Sequence, residues 1–146
     1  MLCGCSRVIT SEERKETVCN LSYTKVSLPS GWIGGGNSTM LFTNDKYPDT
    51  YVIIGETNDP EEDIKKNLEL HFSTKFYRNR IEFCFDDSDE LVSGILKNNR
   101  QEEDYYFYGC FVEDPAAYVF CMCKDEEYKS EIEAIRDYAY ESFAKK

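Results

Sequence analysis

One histidine, His71, and one tryptophan, Trp32, stand in 146 residues. A lone histidine cannot by itself make a Cys-His or Ser-His-Asp device; the fold would have to bring partners to it. Its place beside Phe72, next to an apolar helical stripe, marks it as a boundary packing residue. Positive charge is also scarce: 17 Lys and Arg face 28 Asp and Glu, for a formal net charge of −11. No basic run exceeds Lys65-Lys66 or Lys145-Lys146. A polyanion is repelled by that average field, and with no basic run longer than these to override it, nucleic acid and anionic membrane surfaces are not expected as partners. No apolar run approaches the ~18 residues that span a bilayer. Internal repeats and low-complexity blocks are missing too. Gly34-Gly35-Gly36-Asn37 reads as a turn or loop. It lacks the following helix and in-register Lys that a phosphate loop needs. No cofactor is implied.

What is present is globular. The aromatic fraction is 14% and the hydrophobic fraction 41%. That is enough for a core in one domain without help from disulfides or metals. Seven Cys is an odd count, so complete internal pairing is impossible. Buried free thiols in a reducing compartment are the simplest reading. The first residues point elsewhere. Met1-Leu2-Cys3-Gly4-Cys5 looks like the end of a lipoprotein signal, with Cys5 as the lipid-bearing residue. The charged and apolar stretches that should precede it are not there. A membrane tether is expected only if Cys5 is lipidated. The location would be extracytoplasmic if a signal sequence precedes Met1 and cytoplasmic otherwise. Residues 1–18 then read as a flexible leader or tether, and 19–146 as the folded domain.

Along the domain, residues 20–28, 38–43 and 50–56 read as strands, the last two joined by the hairpin link Asn44-Asp45-Lys46-Tyr47-Pro48. Asp59-Pro60-Glu61-Glu62 starts a helix: Asp59 caps, Pro60 suits the first turn, and the acids suit the positive end of the dipole. Ile64, Leu68 and Phe72 give it an apolar stripe. Residues 80–86, 90–98, 104–112 and 117–123 have period-two character and short links, which predicts an antiparallel meander. Asp125-Glu126-Glu127 starts a last helix with Ile132, Ile135, Ala139 and Phe143 on one face. The order βββ-α-ββββ-α predicts an α+β domain, a mostly antiparallel sheet flanked by two helices.

Leu28-Pro29-Ser30-Gly31-Trp32 closing a first strand, a helix after the first hairpin, a long meander, and a final helix ending Tyr140-Glu141-Ser142-Phe143 together resemble the PsbP-like superfamily. That group includes the PsbP proteins of the oxygen-evolving complex, a nuclear Ran-binding import factor, DcrB-like lipoproteins and small secretion-system chaperones. The resemblance covers residues 19–144 and implies a non-catalytic binding domain. It carries over no catalytic residue and chooses no partner.

Two groups of residues remain as candidates. Cys121 and Cys123 share a strand face and Cys110 falls on the neighbouring strand, so these thiols are either core fillers, a disulfide pair or, with Cys3 and Cys5, a thiolate zinc site. Their spacing is not that of a zinc knuckle. The meander also brings the loops at 86–90 and 113–116 to one end of the sheet, gathering Asp86, Asp87, Asp89, Glu90, Glu113 and Asp114. Solvated turns, a docking edge for a basic protein surface, a Ca²⁺ site and a glycosidase-like acid pair all use such residues. The Ca²⁺-loop spacing is missing. Trp32 is either a core anchor or a contact on the binding surface. Asn20-Leu21-Ser22 and Asn37-Ser38-Thr39 match glycosylation acceptors, which matters only for an exported chain. The expected function is a protein-binding or accessory domain, not an enzyme. The alternatives are a small hydrolase or cation-dependent enzyme on the acidic edge, and a cytosolic thiol-metal or redox protein.

Overall fold

Strand β8, Ala117–Cys123, is buried at every position, and the fold is built around it. Alternate side chains point to opposite faces of a strand. Ala117, Val119, Cys121 and Cys123 enter one apolar cluster, while Tyr118, Phe120 and Met122 enter a second on the other face. In the computed structural model, which describes residues 16–36, 39–72, 90–96 and 104–144, β8 is an inner strand of a six-stranded antiparallel sheet. The side chains of 69–72 and 144 are not among those described.

The elements run β1 (Glu16–Asn20), β2 (Lys25–Pro29), β3 (Ile33–Gly36), β4 (Thr39–Thr43), β5 (Thr50–Gly55), α1 (Pro60–Phe72), β6 (Leu91–Leu96), β7 (Tyr105–Val112), β8 and α2 (Lys129–Ala144). The large sheet has the order β3-β4-β5-β8-β7-β6, and β1 and β2 form a separate hairpin. The chain is therefore a single α+β domain, as its pattern predicts. The last three meander strands pair antiparallel and in sequence, β6 with β7 and β7 with β8. The expected strand at 80–86, with Asp86, Asp87 and Asp89, lies outside the described residues, as do Cys5 and most of the expected leader.

Two expectations are corrected. Residues 20–28 are not one strand: β1 and β2 fold back on each other through a turn in which Leu21 N–H donates to the Thr24 carbonyl at 2.8 Å. The turn is fixed from afar, since both carboxylate oxygens of Glu56 accept backbone N–H groups, from Ser22 at 2.9 Å and Tyr23 at 2.8 Å. β1 thereby takes in Glu16, Thr17 and Val18, residues that read as leader. Gly34-Gly35-Gly36 is not a loop but the edge strand β3. A Cβ on Gly34 would overlap the Leu41 carbonyl oxygen on β4. The close approach of the two backbones itself calls for glycine.

The helices start where the sequence says they should. Asp59 Oδ1 accepts from Glu62 N–H at 3.2 Å. This is the N-cap of α1. Asp125 caps a 3-10 turn, Glu126–Tyr128, by accepting from Glu127 N–H at 2.9 Å, and α2 follows. α1 lays Ile64 and Leu68 on the face formed by Ile53, Tyr118, Phe120 and Met122. α2 buries Ile132, Ile135, Ala139 and Phe143 against the other face, beside Cys19, Val26 and Leu28 of the small hairpin. Burying one such Leu or Ile contributes ~1.5–3 kcal/mol. Ser142 Oγ accepts from Ser27 N–H at 2.9 Å and ties the hairpin to α2. Among the described residues no helix is long and apolar enough to cross a membrane.

Candidate functional site at the acidic end of the sheet

Glu90 precedes β6, and its carbonyl accepts from Phe111 N–H at 2.7 Å. That bond sets the start of β6 against the end of β7, where the turn Glu113–Ala116 leads into β8. Asp114 takes a left-handed conformation with φ 56 in this turn. Asp tolerates that region better than most residues. Glu90, Glu113 and Asp114 thus stand together at one end of the sheet, and all three are exposed. Glu90 Oε2 accepts from the Tyr140 phenol at 2.9 Å, which holds that phenol above its ordinary pKa. A hydrogen bond from the neutral form to a carboxylate has that effect. Among the described residues, the Glu113 and Asp114 side chains make no hydrogen bond or ion pair.

Two hollows flank this end. The first, about 440 Å³, opens between the β1–β2 turn and the end of α2 and is lined by Tyr23, Thr24, Glu90, Val112, Glu113, Asp114, Pro115, Tyr140 and Phe143. The second, about 610 Å³, lies toward the start of α1 and is lined by Thr57, Asn58, Pro60, Glu90, Phe111, Val112, Glu113, Ala116 and Ala117. They share Glu90, Val112 and Glu113, so one ridge divides them. Among the described residues no Lys, Arg or His lines either one. Among the described residues, Glu113 and Asp114 therefore have no cation beside them in those walls.

The other sequence candidates fall elsewhere. Trp32 is 3% exposed, and its ring stacks on Tyr47 with centroids 6.0 Å apart. It belongs to the core and lines neither hollow, so the contact-surface role weighed for it has no exposed ring to act through. Cys110, Cys121 and Cys123 share the α2-side cluster with Cys19, as free and buried thiols. Burial pushes the Cys19 and Cys110 thiols up to about 12, Cys123 up to about 11, and Cys121 well above the ordinary range. A thiol held protonated is neither a nucleophile nor a metal ligand. Among the described residues no three His, Cys, Asp or Glu side chains are grouped so as to hold a metal ion. The His71 side chain lies outside the described residues.

Sequence reasoning missed the first hollow's aromatic lining, Tyr23, Tyr140 and Phe143. The Asn20-Leu21-Ser22 stretch was its one local signal, since Asn and Ser favour a turn. The chain matches no family model, and no curated protein matches it significantly.

Proposed function

We propose that this domain is a non-catalytic binding module that holds a basic segment of another protein at its acidic end. One observation carries the reading. Among the described residues, Glu113 and Asp114 are exposed without a cationic partner; Glu113 stands between the two hollows, Asp114 lines the first, and no described residue in either wall is basic. The net charge is −11. Such a field steers a basic partner in and a polyanion away. Catalysis fits less well. A carboxyl that acts as a general acid near neutrality is kept protonated by burial. Glu90, Glu113 and Asp114 are open to water. The PsbP-like likeness is part of the same proposal. It is supported by the sheet between two helices and by Pro29-Ser30-Gly31-Trp32 at the end of β2. A tether through Cys5 would add membrane placement.

The test is a titration of the full chain with a basic peptide of mixed Lys and Arg, followed by backbone NMR shifts. Shifts at residues 90 and 112–116 that weaken with added salt are expected. The Glu113→Gln/Asp114→Asn variant should keep its melting temperature and lose most of the binding. Wild-type affinity in that variant, or no binding by the parent chain, would sink the proposal.

A further inference from the structure

We infer that the hollow between the β1–β2 turn and the end of α2 receives one guanidinium group, the arginine side chain of the partner's basic segment. This rests on the binding-module reading and names the chemistry that the first hollow selects. The volume is about 440 Å³. Ordinary ligand pockets span roughly 300–1,000 Å³. Its lining combines acceptors with aromatic surface: Glu90, Glu113 and Asp114 with Tyr23, Tyr140 and Phe143. A planar guanidinium, with five N–H donors and a weakly hydrated face that stacks on aromatic rings, uses both at once. A compact ammonium uses the charge but not the plane. A metal ion needs its ligands closed around one point. Among the described residues no such group exists.

An independent feature points the same way. Thr24 lines the hollow, is 9% exposed, and its Oγ1 is buried with no hydrogen-bond partner among the described residues. A buried hydroxyl without a partner carries a desolvation cost that a donor in the hollow would relieve. Oγ1 is enclosed as it stands, so reaching it takes a χ1 turn of Thr24, which forfeits no hydrogen bond because Oγ1 holds none among the described residues. The surroundings are set in advance. Glu56 fixes the backbone at Tyr23, 2.8 Å from its N–H, and Glu90 holds the Tyr140 phenol. The Tyr23 ring, 81% exposed, is the part of the lining left to order on binding.

The experiment uses the full ¹⁵N-labelled chain and a capped Gly-Ser-Arg-Ser-Gly peptide, with citrulline and lysine versions as controls. Citrulline keeps the shape and removes the charge. Saturable shifts at Tyr23, Thr24, Glu113 and Tyr140 are expected with the arginine peptide, with affinity down about tenfold or more for citrulline and a smaller loss for lysine. Glu113→Gln should weaken the arginine peptide about fivefold or more. Thr24→Val should weaken it as well, and if that variant does not fold, Glu113→Gln decides alone. Equal binding of the citrulline peptide, or shifts that cluster away from these residues, overturns the inference. A longer basic peptide that binds while the arginine pentapeptide leaves the hollow unmoved overturns the inference and spares the module reading. Failure of both peptides overturns both.

Discussion

The Tyr118 phenol donates to Asp63 Oδ2 at 2.7 Å, joining the inner strand β8 to the first turn of α1. The same oxygen accepts from Thr39 Oγ1 at 3.2 Å, so β4, β8 and α1 meet at one carboxylate. Tyr118 is fully buried, and burial first, then Asp63, holds its phenol above the ordinary range. Hydrogen bonds to charged acceptors contribute ~1.5–3 kcal/mol. Asp63 is half-buried and can recover water. Tyr118→Phe should therefore cost about 1.5 kcal/mol, the low end of that range. Urea unfolding of the two chains measures it. A loss near zero would mean that the bond is no better than the hydration it replaces.

Gly55 lies directly across from Tyr118 in the β5–β8 ladder. A Cβ there would sit 2.5 Å from the Tyr118 ring, and the ring is what carries the phenol to Asp63. Gly55→Ala should therefore destabilise by overpacking, about 1–3 kcal/mol. The mechanism has a specific signature. In a Tyr118→Leu background the penalty should shrink, and a double-mutant cycle should show coupling of about 0.5 kcal/mol or more. Additive losses would place the strain in the Gly55 backbone instead.

Arg136 lies on the buried face of α2 and is 6% exposed. Its Nη1 donates to the carbonyls of Val92 at 3.2 Å and Gly109 at 3.4 Å, its Nε donates to Asp137 at 2.7 Å, and its guanidinium lies over the Tyr108 ring at 5.4 Å. One side chain thereby docks α2 onto β6 and β7. Arg136→Lys keeps the charge but loses the planar fork, so it should cost nearly as much as Arg136→Met, about 2–3 kcal/mol. Chemical denaturation of both variants decides. A Lys variant as stable as the parent would show that charge alone does the docking.

How legible this was depended on how local the cause is. Both helix starts were readable because Asp59 and Asp125 act within three residues of themselves. β7 and β8 were readable from their composition and short links, although β8 is buried on both faces. A strand covered on both sides shows no clean alternation of polarity. The split at Leu21–Thr24 was not readable, because the carboxylate that holds the turn is Glu56, more than thirty positions away. Gly34–Gly36 looked like a loop because glycine is a poor strand former. The reason it is tolerated is contact with a backbone that the sequence does not show. The acidic end followed from strand counting as far as Glu90, Glu113 and Asp114. Tyr23 and Tyr140 reach it from opposite ends of the chain, which only the tertiary fold reveals.

The four buried thiols make a prediction in two parts. Of seven cysteines in the sequence, Cys19, Cys110, Cys121 and Cys123 are enclosed in the α2-side core, so no more than three should react quickly with a thiol reagent in the native protein. All seven should react in denaturant under reducing conditions. The second part is pH. Burial raises each folded thiol above its unfolded value, to about 12 for Cys19 and Cys110 and about 11 for Cys123. Below the unfolded value, ~8.5, both states are protonated and the stability is fully present. As pH rises the unfolded chain loses thiol protons first, and each proton so released lowers stability by ~1.4 kcal/mol per pH unit until the folded thiols ionise too. Urea midpoints should therefore hold steady up to about pH 8 and fall from about pH 9 upward. Replacing Cys110 and Cys121 with Ala should flatten that fall at the cost of a lower midpoint at neutral pH, because the smaller side chains leave a void. An equally steep decline in that variant would show that Cys110 and Cys121 do not carry the alkaline loss.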